Sequence, residues 1–233
     1  MGGRVVAIHQ PNYLPWLGYF HKLFSCDEFI FLDDVQFSRQ SYTQRVQVLY
    51  QGGAHWLTVP VVRSGRSGQL IVDTECQPGT PWKRKHLATL QASYGRHACF
   101  REVFPVVVAA LSGTSNNLAD INITLIQALG AALGVTCRFA RSSLMGVAAN
   151  DATERLVALV GAVGGSSYLH GRGGLKYQEE ELFRASSIKL VLSAFGGGPY
   201  PQKGSDVFIA GLSIIDALCN LGFTGTRKLF LSA

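Results

Sequence analysis

The sequence predicts an α/β protein with a mainly parallel sheet and flanking helices, in a Rossmann-like arrangement that carries a helical subdomain. Short apolar segments such as 28–32 and 188–192 have the composition of strands that are buried on both faces. Segments with apolar residues at helical spacing separate most of these strands, as βαβ units require. Polar residues follow several strands directly, as they do at the ligand-binding carboxyl edge of an open α/β sheet.

The first third of the chain is predicted to form strands of this sheet, a helix and a hairpin. Pro15 suits the first turn of the helix, because a residue there needs no backbone N–H donor. Gly52 and Gly53 lie between two apolar segments, which is a hairpin signal. The predicted elements are strand 4–8, helix 16–24, strand 28–32, hairpin strands 46–50 and 55–61, a loop rich in Gly, Ser and Arg at 63–69, and a short strand at 70–73.

The rest of the chain continues with helices and strands. Asp151 and Glu154 have the spacing of a capping box at a helix start, and Gly134 is typical of a helix end. The predicted elements are helices 82–94, 100–111 and 117–133, strand 135–140, helix 152–163, strand 166–169, helix 179–185, strand 188–192 and a helix that ends segment 207–220. We expect one domain over 1–233, with 82–133 as a helical insertion or subdomain.

The composition favours a folded protein in a reducing compartment. Hydrophobic residues make up 47% and charged residues 15% of the chain, which argues against disorder. The formal net charge of +6 fits anionic ligands such as nucleotide sugars, phosphates or RNA. The five cysteines contain no CxxC pair, which predicts neither a metal site nor a disulfide framework. Without a signal peptide or an apolar segment of about 18 residues, we expect a cytoplasmic protein that has no membrane span.

Four polar residues next to predicted strands are the candidate catalytic residues. His9 follows the first strand, and His170 follows the strand at 166–169. Asp33 and Asp34 follow the second strand, where two adjacent carboxylates need hydrogen bonds or a cation. Strand alternation predicts that these carboxylates point to opposite sides, so that one of them faces a ligand. The alternative is structural: a histidine bonded to a nearby carbonyl, and an aspartate that caps a helix or lies in a loop.

The loops beside these residues supply candidate substrate-binding groups. Amide, phenol and guanidinium groups there offer hydrogen bonds, and arginine binds anionic groups bidentately. Glycines just past a strand let backbone amides approach a phosphate or a carboxylate. The candidates are Gln10, Asn12, Tyr13, Gln36 and Arg45 in the first third, with Arg39 beside them, and Gly171, Arg172 and Gly173 after His170. A solvated surface or a plain glycine turn is the alternative for these segments.

Two further groups of residues are substrate-binding candidates. Positive charge at the start of the first long helix opposes the helix dipole, and contact with phosphate or RNA offsets it. Lys83 and His86 share one face of that helix. Tyr200 and Gln202 lie in a loop rich in Gly and Pro, and Asp216 interrupts an apolar helix face, where a buried carboxylate needs a partner. Surface exposure or a structural hydrogen bond is the alternative for each residue.

Sequence motifs of covalent and metal-dependent catalysis are absent. The chain contains no GxSxG, no cysteine beside an obvious base and no HExxH. The glycine-rich segment at 170–174 matches neither a P-loop nor GxGxxG. If the chain is an enzyme, we expect it to work by positioning and acid–base chemistry rather than through a covalent intermediate.

Five segments resemble the WbqC-like proteins, which occur in bacterial gene clusters for surface polysaccharides and natural products. They are His-Gln-Pro-Asn-Tyr-Leu-Pro-Trp-Leu-Gly-Tyr-Phe-His-Lys at 9–22, Leu-Asp-Asp-Val-Gln-Phe at 32–37, Trp-Leu-Thr-Val-Pro-Val at 56–61, Tyr-Leu-His-Gly at 168–171 and Leu-Ser-Ile-Ile-Asp at 212–216. The resemblance spans residues 5–222, and His170 stands where the family pattern has Ser. The chain is thus identified as a member of this family.

The resemblance implies a biosynthetic transferase that joins an acyl or aminoacyl group to an amino sugar or another amine. In this hypothesis Asp33, Asp34 or His9 acts as the base, and the 170–174 loop and Arg45 hold an anionic donor or acceptor. The donor stays open among ATP, acyl-CoA and aminoacyl-tRNA, and so does the oligomeric state.

A second likeness is to nucleotidylyltransferases, whose nucleotide site is also built from a strand, a loop, a helix and a second strand. Their His-x-Gly-His signature is replaced here by Tyr-Leu-Pro-Trp at 13–16, which argues against adenylyl transfer. A nucleotide-dependent ligase and a non-catalytic protein that binds a nucleotide sugar or RNA are the alternative functions.

Overall fold

The computed structural model describes residues 3–171 and 179–231. The strands are β1 Val5–His9, β2 Glu28–Phe31, β3 Arg45–Tyr50, β4 Gly53–Thr58, β5 Arg138–Arg141, β6 Ser167–His170 and β7 Lys189–Leu192. The helices are α1 Leu17–Phe24, α2 Trp82–Tyr94, α3 Phe100–Leu111, α4 Leu118–Leu133, α5 Ala152–Ala162, α6 Glu180–Ala185 and α7 Ile214–Leu231.

Five strands form one sheet in the order β5-β2-β1-β6-β7, and every neighbouring pair in it is parallel. The remaining strands, β3 and β4, form a separate antiparallel hairpin. This architecture confirms the predicted α/β class with a mainly parallel sheet and flanking helices. It also confirms the hairpin that the glycines at 52 and 53 predict.

Helices cover both faces of the sheet because successive strand residues point to opposite sides. Ala7 and Phe29 pack in one core, together with apolar residues of α1, α4 and α7. Val6, Ile8 and Ile30 pack in a second core against α5 and α6. The segment between β2 and β5, which holds the hairpin and α2 to α4, contributes to the first core. The result is three layers with buried strands in the middle, which explains why those strands lack polar alternation.

Side chains and glycines define where key helices begin and end. The Asn117 side chain caps α4 by accepting from the backbone of Asp120, and Gly134 ends the helix in a left-handed conformation with φ of 82°. The Asp151 side chain caps α5 by accepting from the Glu154 backbone, as the spacing of these residues predicts.

Two predicted elements differ in the structure. The strand predicted at 70–73 is wrong: only an isolated bridge joins Leu70 to Gln36, because the next residues turn back on themselves. The Asp73 N–H donates to the Leu70 carbonyl, and Thr74 does the same to Ile71. The last helix extends to residue 231 rather than 220, through a kink at position 222, where φ is 71°.

The strand order places a topological switch point between β1 and β6. From β1 the chain passes to β2 and later to β5 on one side, whereas from β6 it passes to β7 on the other side. The loops that leave β1 and β6 therefore diverge and open a crevice at the carboxyl edge of the sheet. In open α/β folds this crevice is the usual place for a ligand.

Candidate functional site

A pocket of about 260 Å³ lies at this crevice, and we refer to it as the switch-point pocket. Its described lining comes from the ends of three strands and from α1, so that the parallel sheet itself brings distant residues together. The lining residues are His9, Trp16, Gly18, Tyr19, Lys22, Gly171, Ser193 and Phe195.

His9 presents an uncharged imidazole to the pocket. Its Nδ1 lies 3.1 Å from the carbonyl oxygen of Gln10. A carbonyl only accepts, so Nδ1 carries the proton and Nε2 keeps its lone pair. Burial, with a smaller contribution from the charge of Lys22, lowers the pKa of His9 to about 3. The ring is therefore neutral at physiological pH and offers a hydrogen-bond acceptor.

Lys22 is a buried amine, only 7% exposed, on the side of α1 that faces the pocket. Burial lowers its pKa to about 8, and no acidic side chain among residues 3–171 and 179–231 forms an ion pair with it. A Cβ at position 171 would lie 3.2 Å from Lys22 Nζ, which is closer than usual contact. Glycine at 171 thus leaves the amine its room beside the end of β6.

His170 lies next to this pair at the end of β6. Its ring is buried, and its Nδ1 lies 3.4 Å from the Gly171 carbonyl oxygen. Burial lowers the pKa of His170, and the charge of Lys22 acts in the same direction. The structure therefore brings His9 and Gly171, which the sequence predicts separately, to the lining of one pocket, whereas the His170 ring packs by Tyr168 and does not line it. Arg172 and Gly173, predicted to bind substrate, lie outside the described residues.

Aromatic side chains form one wall of the pocket. The indole of Trp16 lies directly over Gly18, where a Cβ would approach it to 2.3 Å. Its ring meets that of Phe195 edge to face, with centroids 6.2 Å apart. Trp16 stays 41% exposed, so an apolar surface is available at the mouth of the pocket. On the polar side, His21 Nδ1 lies 3.2 Å from the Ser193 hydroxyl.

Asp33 and Asp34 belong to a different set of contacts, which we call the aspartate network. Asp33 is fully buried; it accepts from Arg141 Nε at 2.6 Å and from the backbone N–H of Ser143 at 3.0 Å. Asp34 pairs with Arg155. Neither aspartate lines the switch-point pocket. The predicted base role of these carboxylates is untested, but their oxygens are already held by protein donors.

The alternation predicted for the two aspartates is wrong. Both carboxylates lie within hydrogen-bond distance of the Ser142 hydroxyl, so they turn toward the same group. The physical reason is that β2 ends at Phe31, and the pleat that alternates side chains does not extend into the loop beyond it.

Several predicted substrate-binding residues have protein partners instead of facing the pocket. Tyr13 is fully buried, and its hydroxyl lies 2.9 Å from Nδ1 of His86, which is also buried. The Gln10 side-chain oxygen accepts from Thr43, and Asn12 is buried beside them. Lys83 donates to the carbonyl of residue 113 at 2.9 Å.

The last candidates lie in three other places. Arg45 stacks on the Trp56 ring at 4.1 Å from its centroid, and Gln36 lines a separate cleft. Asp216 accepts from the Tyr200 hydroxyl at 2.6 Å and from the Gln202 amide at 2.7 Å. Burial raises the pKa of Asp216. Tyr200 and Gln202 thus form structural hydrogen bonds with Asp216, which is the alternative given above for these residues. None of the three lines the switch-point pocket.

Sequence reasoning missed Lys22, Trp16, Ser193 and Phe195. The first two lie within the motif at 9–22, but a helical lysine and an exposed tryptophan read as surface residues. A signal was present for Lys22: it follows Gly18 and Tyr19 at helical spacing, on a helix whose other positions are mostly apolar. Ser193 and Phe195 follow β7. They can be assigned to the pocket only when the strand order, which places β7 beside β6, is known.

Two negative findings concern the described part of the chain. No group of three or more His, Cys, Asp or Glu side chains there is placed to hold a metal ion. No helix there combines the length and the apolar content that crossing a bilayer requires.

The fold is that of a doubly wound α/β protein, with a pocket at its topological switch point. The chain belongs to the WbqC-like protein family, whose family model matches residues 10–228. A relative from Mycobacterium tuberculosis (strain ATCC 25618 / H37Rv), named "Uncharacterized protein Rv1507c", is 33% identical over 220 residues, which are 94% of each chain. No solved structure is significantly similar. The predicted family is confirmed.

Proposed function

We propose that the chain is a biosynthetic transferase that forms an amide bond, by moving an acyl or aminoacyl group onto an amino sugar or another amine. The observation that carries this proposal is the pairing of a neutral imidazole, His9, with an amine of lowered pKa, Lys22, in one pocket at the switch point. Family membership supports the proposal through the resemblance, which implies biosynthesis of glycans or specialised metabolites.

Acyl transfer to an amine makes two demands that these residues meet. The attacking amine must lose a proton as the C–N bond forms, and negative charge must be stabilised on the acyl oxygen until the bond to the donor breaks and releases the CoA thiol, the tRNA hydroxyl or AMP. His9 Nε2, whose lone pair is free at neutral pH, takes the proton from the amine; because its lowered pKa makes it a weak base, it passes the proton on to the leaving group. Lys22, which is charged below a pH of about 8, donates to the developing oxyanion. His170 is the second candidate for proton transfer, since it lies beside the same lysine.

The aromatic wall and the end of β6 fit the substrate on either side of this centre. Trp16 and Phe195 provide an apolar surface for a ring or an acyl chain. The backbone after His170 holds an anionic part of the donor in this proposal. The Asp33 and Asp34 carboxylates then act as positioning residues, because they fix the loop after β2 through Arg141 and Arg155.

The proposal is tested by mass spectrometry of candidate amines after incubation with the protein and one donor at a time. The donors are ATP with a carboxylic acid, acyl-CoA, and aminoacyl-tRNA. The expected result is an amide product with one donor class, and a loss of about 100-fold or more in turnover for H9Q and for K22M. The control K189M, which removes an exposed lysine on β7, keeps full activity.

The pH profile separates catalysis from mere folding defects. Wild-type activity falls as pH rises through about 8, because Lys22 then loses its charge. K22R keeps a permanent charge, so its residual activity does not fall in that range. If no donor changes any amine while the amines still bind, the chain is a binding protein and the proposal fails.

A further inference from the structure

A second cavity, of about 750 Å³, opens beyond the end of β2 and is separate from the switch-point pocket. It lies between the segment after β2 and the Gly-, Ser- and Arg-rich loop. We call it the arginine cleft. Its described lining is Gln36, Phe37, Ser38, Arg39, Arg63, Gly65, Arg66, Ser67, Gly68 and Gln69.

Backbone contacts hold the two walls of the arginine cleft together. The Phe37 N–H donates to the Gln69 carbonyl at 2.9 Å, and the Ile71 N–H donates to the Val35 carbonyl at 3.0 Å. An antiparallel bridge joins Gln36 to residue 70 between them. The loop is therefore fixed at its base to the segment that follows β2, and its arginines line the same cleft as Arg39.

Three guanidinium groups face this cleft, and its described lining includes no acidic residue. Arg66 pairs with Glu75 at 2.9 Å. Arg39 and Arg63 have no ion pair or stacking partner among the residues that the structure describes. Like charges that converge without a counter-charge repel each other, and a bound anion reverses that repulsion.

Neutral donors complete the arrangement. Ser38, Ser67 and the Gln36 amide line the same cleft. Gly65 and Gly68 have φ of 71° and 75°, left-handed values that glycine adopts without strain and that let the loop turn along the wall of the cleft. Guanidinium forks and hydroxyl donors bind the oxygens of a phosphate group through charge-assisted and bidentate hydrogen bonds.

We propose that the arginine cleft binds the phosphate or diphosphate group of a small phosphate ester, through Arg39, Arg63 and Arg66. The volume falls within the range of about 300–1,000 Å³ that is usual for small-molecule pockets, so a small ester fits it better than a polymer. This site is independent of the amide chemistry, because its residues are distinct from those of the switch-point pocket.

The test is calorimetric titration of the full chain with inorganic pyrophosphate at low ionic strength. The variant R39Q/R63Q is expected to weaken binding about tenfold or more. The matched control is R101Q/R184Q, which removes two exposed arginines from α3 and α6 and keeps the affinity within about twofold. R63Q alone, in the exposed loop, weakens binding in the same direction and is available where the double variant is not folded.

Four results would overturn this assignment. One is the absence of heat with pyrophosphate, and another is an equal loss of affinity in both double variants, which indicates unspecific charge attraction. The third is tight binding of a single-stranded RNA oligomer, lost in R39Q/R63Q, without pyrophosphate binding, since that identifies a polymer site. K22M keeps its pyrophosphate affinity; a loss there would place the phosphate in the switch-point pocket instead.

Discussion

The aspartate network and the switch-point pocket lie on the same carboxyl edge of one sheet. They differ in whether their buried charged groups have partners in the protein. In the network, Asp33 is fully buried and bonded to Arg141 and to the Ser143 backbone. In the pocket, Lys22 is nearly as buried but has no acidic partner among the described residues. In the network the protein itself supplies the partners of the buried charge, whereas in the pocket the described residues supply no acidic partner for Lys22.

On a fold of this type, the pairing of buried charges therefore distinguishes a structural cluster from a candidate ligand site. A buried charge costs free energy unless it is paired, so pairing offsets this cost in the network, whereas the pocket carries it as a penalty. The lowered pKa values of His9 and Lys22 are the expression of that penalty. Functional sites commonly carry such a cost in stability.

The largest expected effect is on the network. D33N removes the charge that Arg141, Ser142 and Ser143 surround, and we expect the free energy of unfolding to fall by about 3 kcal/mol or more. Urea unfolding measures this fall. D34N serves as the graded comparison: its side chain is 18% exposed, so the loss should be nearer about 1 kcal/mol. Equal, small losses in both variants would show that the network does not stabilise the fold.

Replacing Lys22 by Met is expected to raise the free energy of unfolding, which is the opposite of the effect expected for D33N. At pH 7 the variant should be more stable than the wild type, because a buried ammonium is removed. The pKa of Lys22 is lowered from 10.5 to about 8, so between these pH values the unfolded chain keeps a proton that the folded chain has released. Wild-type stability therefore rises with pH in that window, by up to about 3 kcal/mol.

Unfolding midpoints at pH 7.5 and pH 10 measure this change as the difference between wild type and K22M. The stability advantage of K22M should shrink at the higher pH. K189M, whose lysine is exposed, is the control and should show no such change. A difference that stays constant with pH would show that folding does not perturb Lys22.

The smallest expected effect on stability concerns the aromatic wall. In G18A the new Cβ would approach the Trp16 indole to 2.3 Å, so the exposed ring must swing away from the pocket. Stability should change by less than about 1 kcal/mol, because alanine also favours the helix. Relative to the wild type, the tryptophan emission of G18A should shift, and its affinity for the amine substrate should fall. G161A, with no atom within 4 Å of its Cβ, is the matched control and should leave both unchanged.

The sequence predicts the fold well because its signals are local. Apolar segments such as 28–32 and glycines such as Gly134 act within a few residues, and the structure confirms the strand and the helix end they indicate. Strand ends also point to His9 and His170. The partners of the aspartates could not be predicted in this way, since Arg141 is 108 residues away from Asp33 along the chain.

Lys22 marks the other limit of sequence reasoning. A lysine on a helix is normally solvated, and only the packing of α1 over the ends of β1 and β6 buries this one. The helix at 214–231 shows the same limit, because the sequence predicts its end at residue 220, while the chain resumes a helix after the kink at Gly222. Both features depend on contacts between distant segments rather than on local pattern.

Lys22 is a buried amine of the switch-point pocket that has no acidic partner among the residues that the structure describes. The most direct measurement is the labelling rate of Lys22 by an amine-reactive reagent between pH 6 and 11, followed by mass spectrometry of the peptide. We predict an inflection near pH 8 for Lys22. An inflection of Lys22 near 10.5, or no labelling of Lys22 until the protein unfolds, would contradict this prediction.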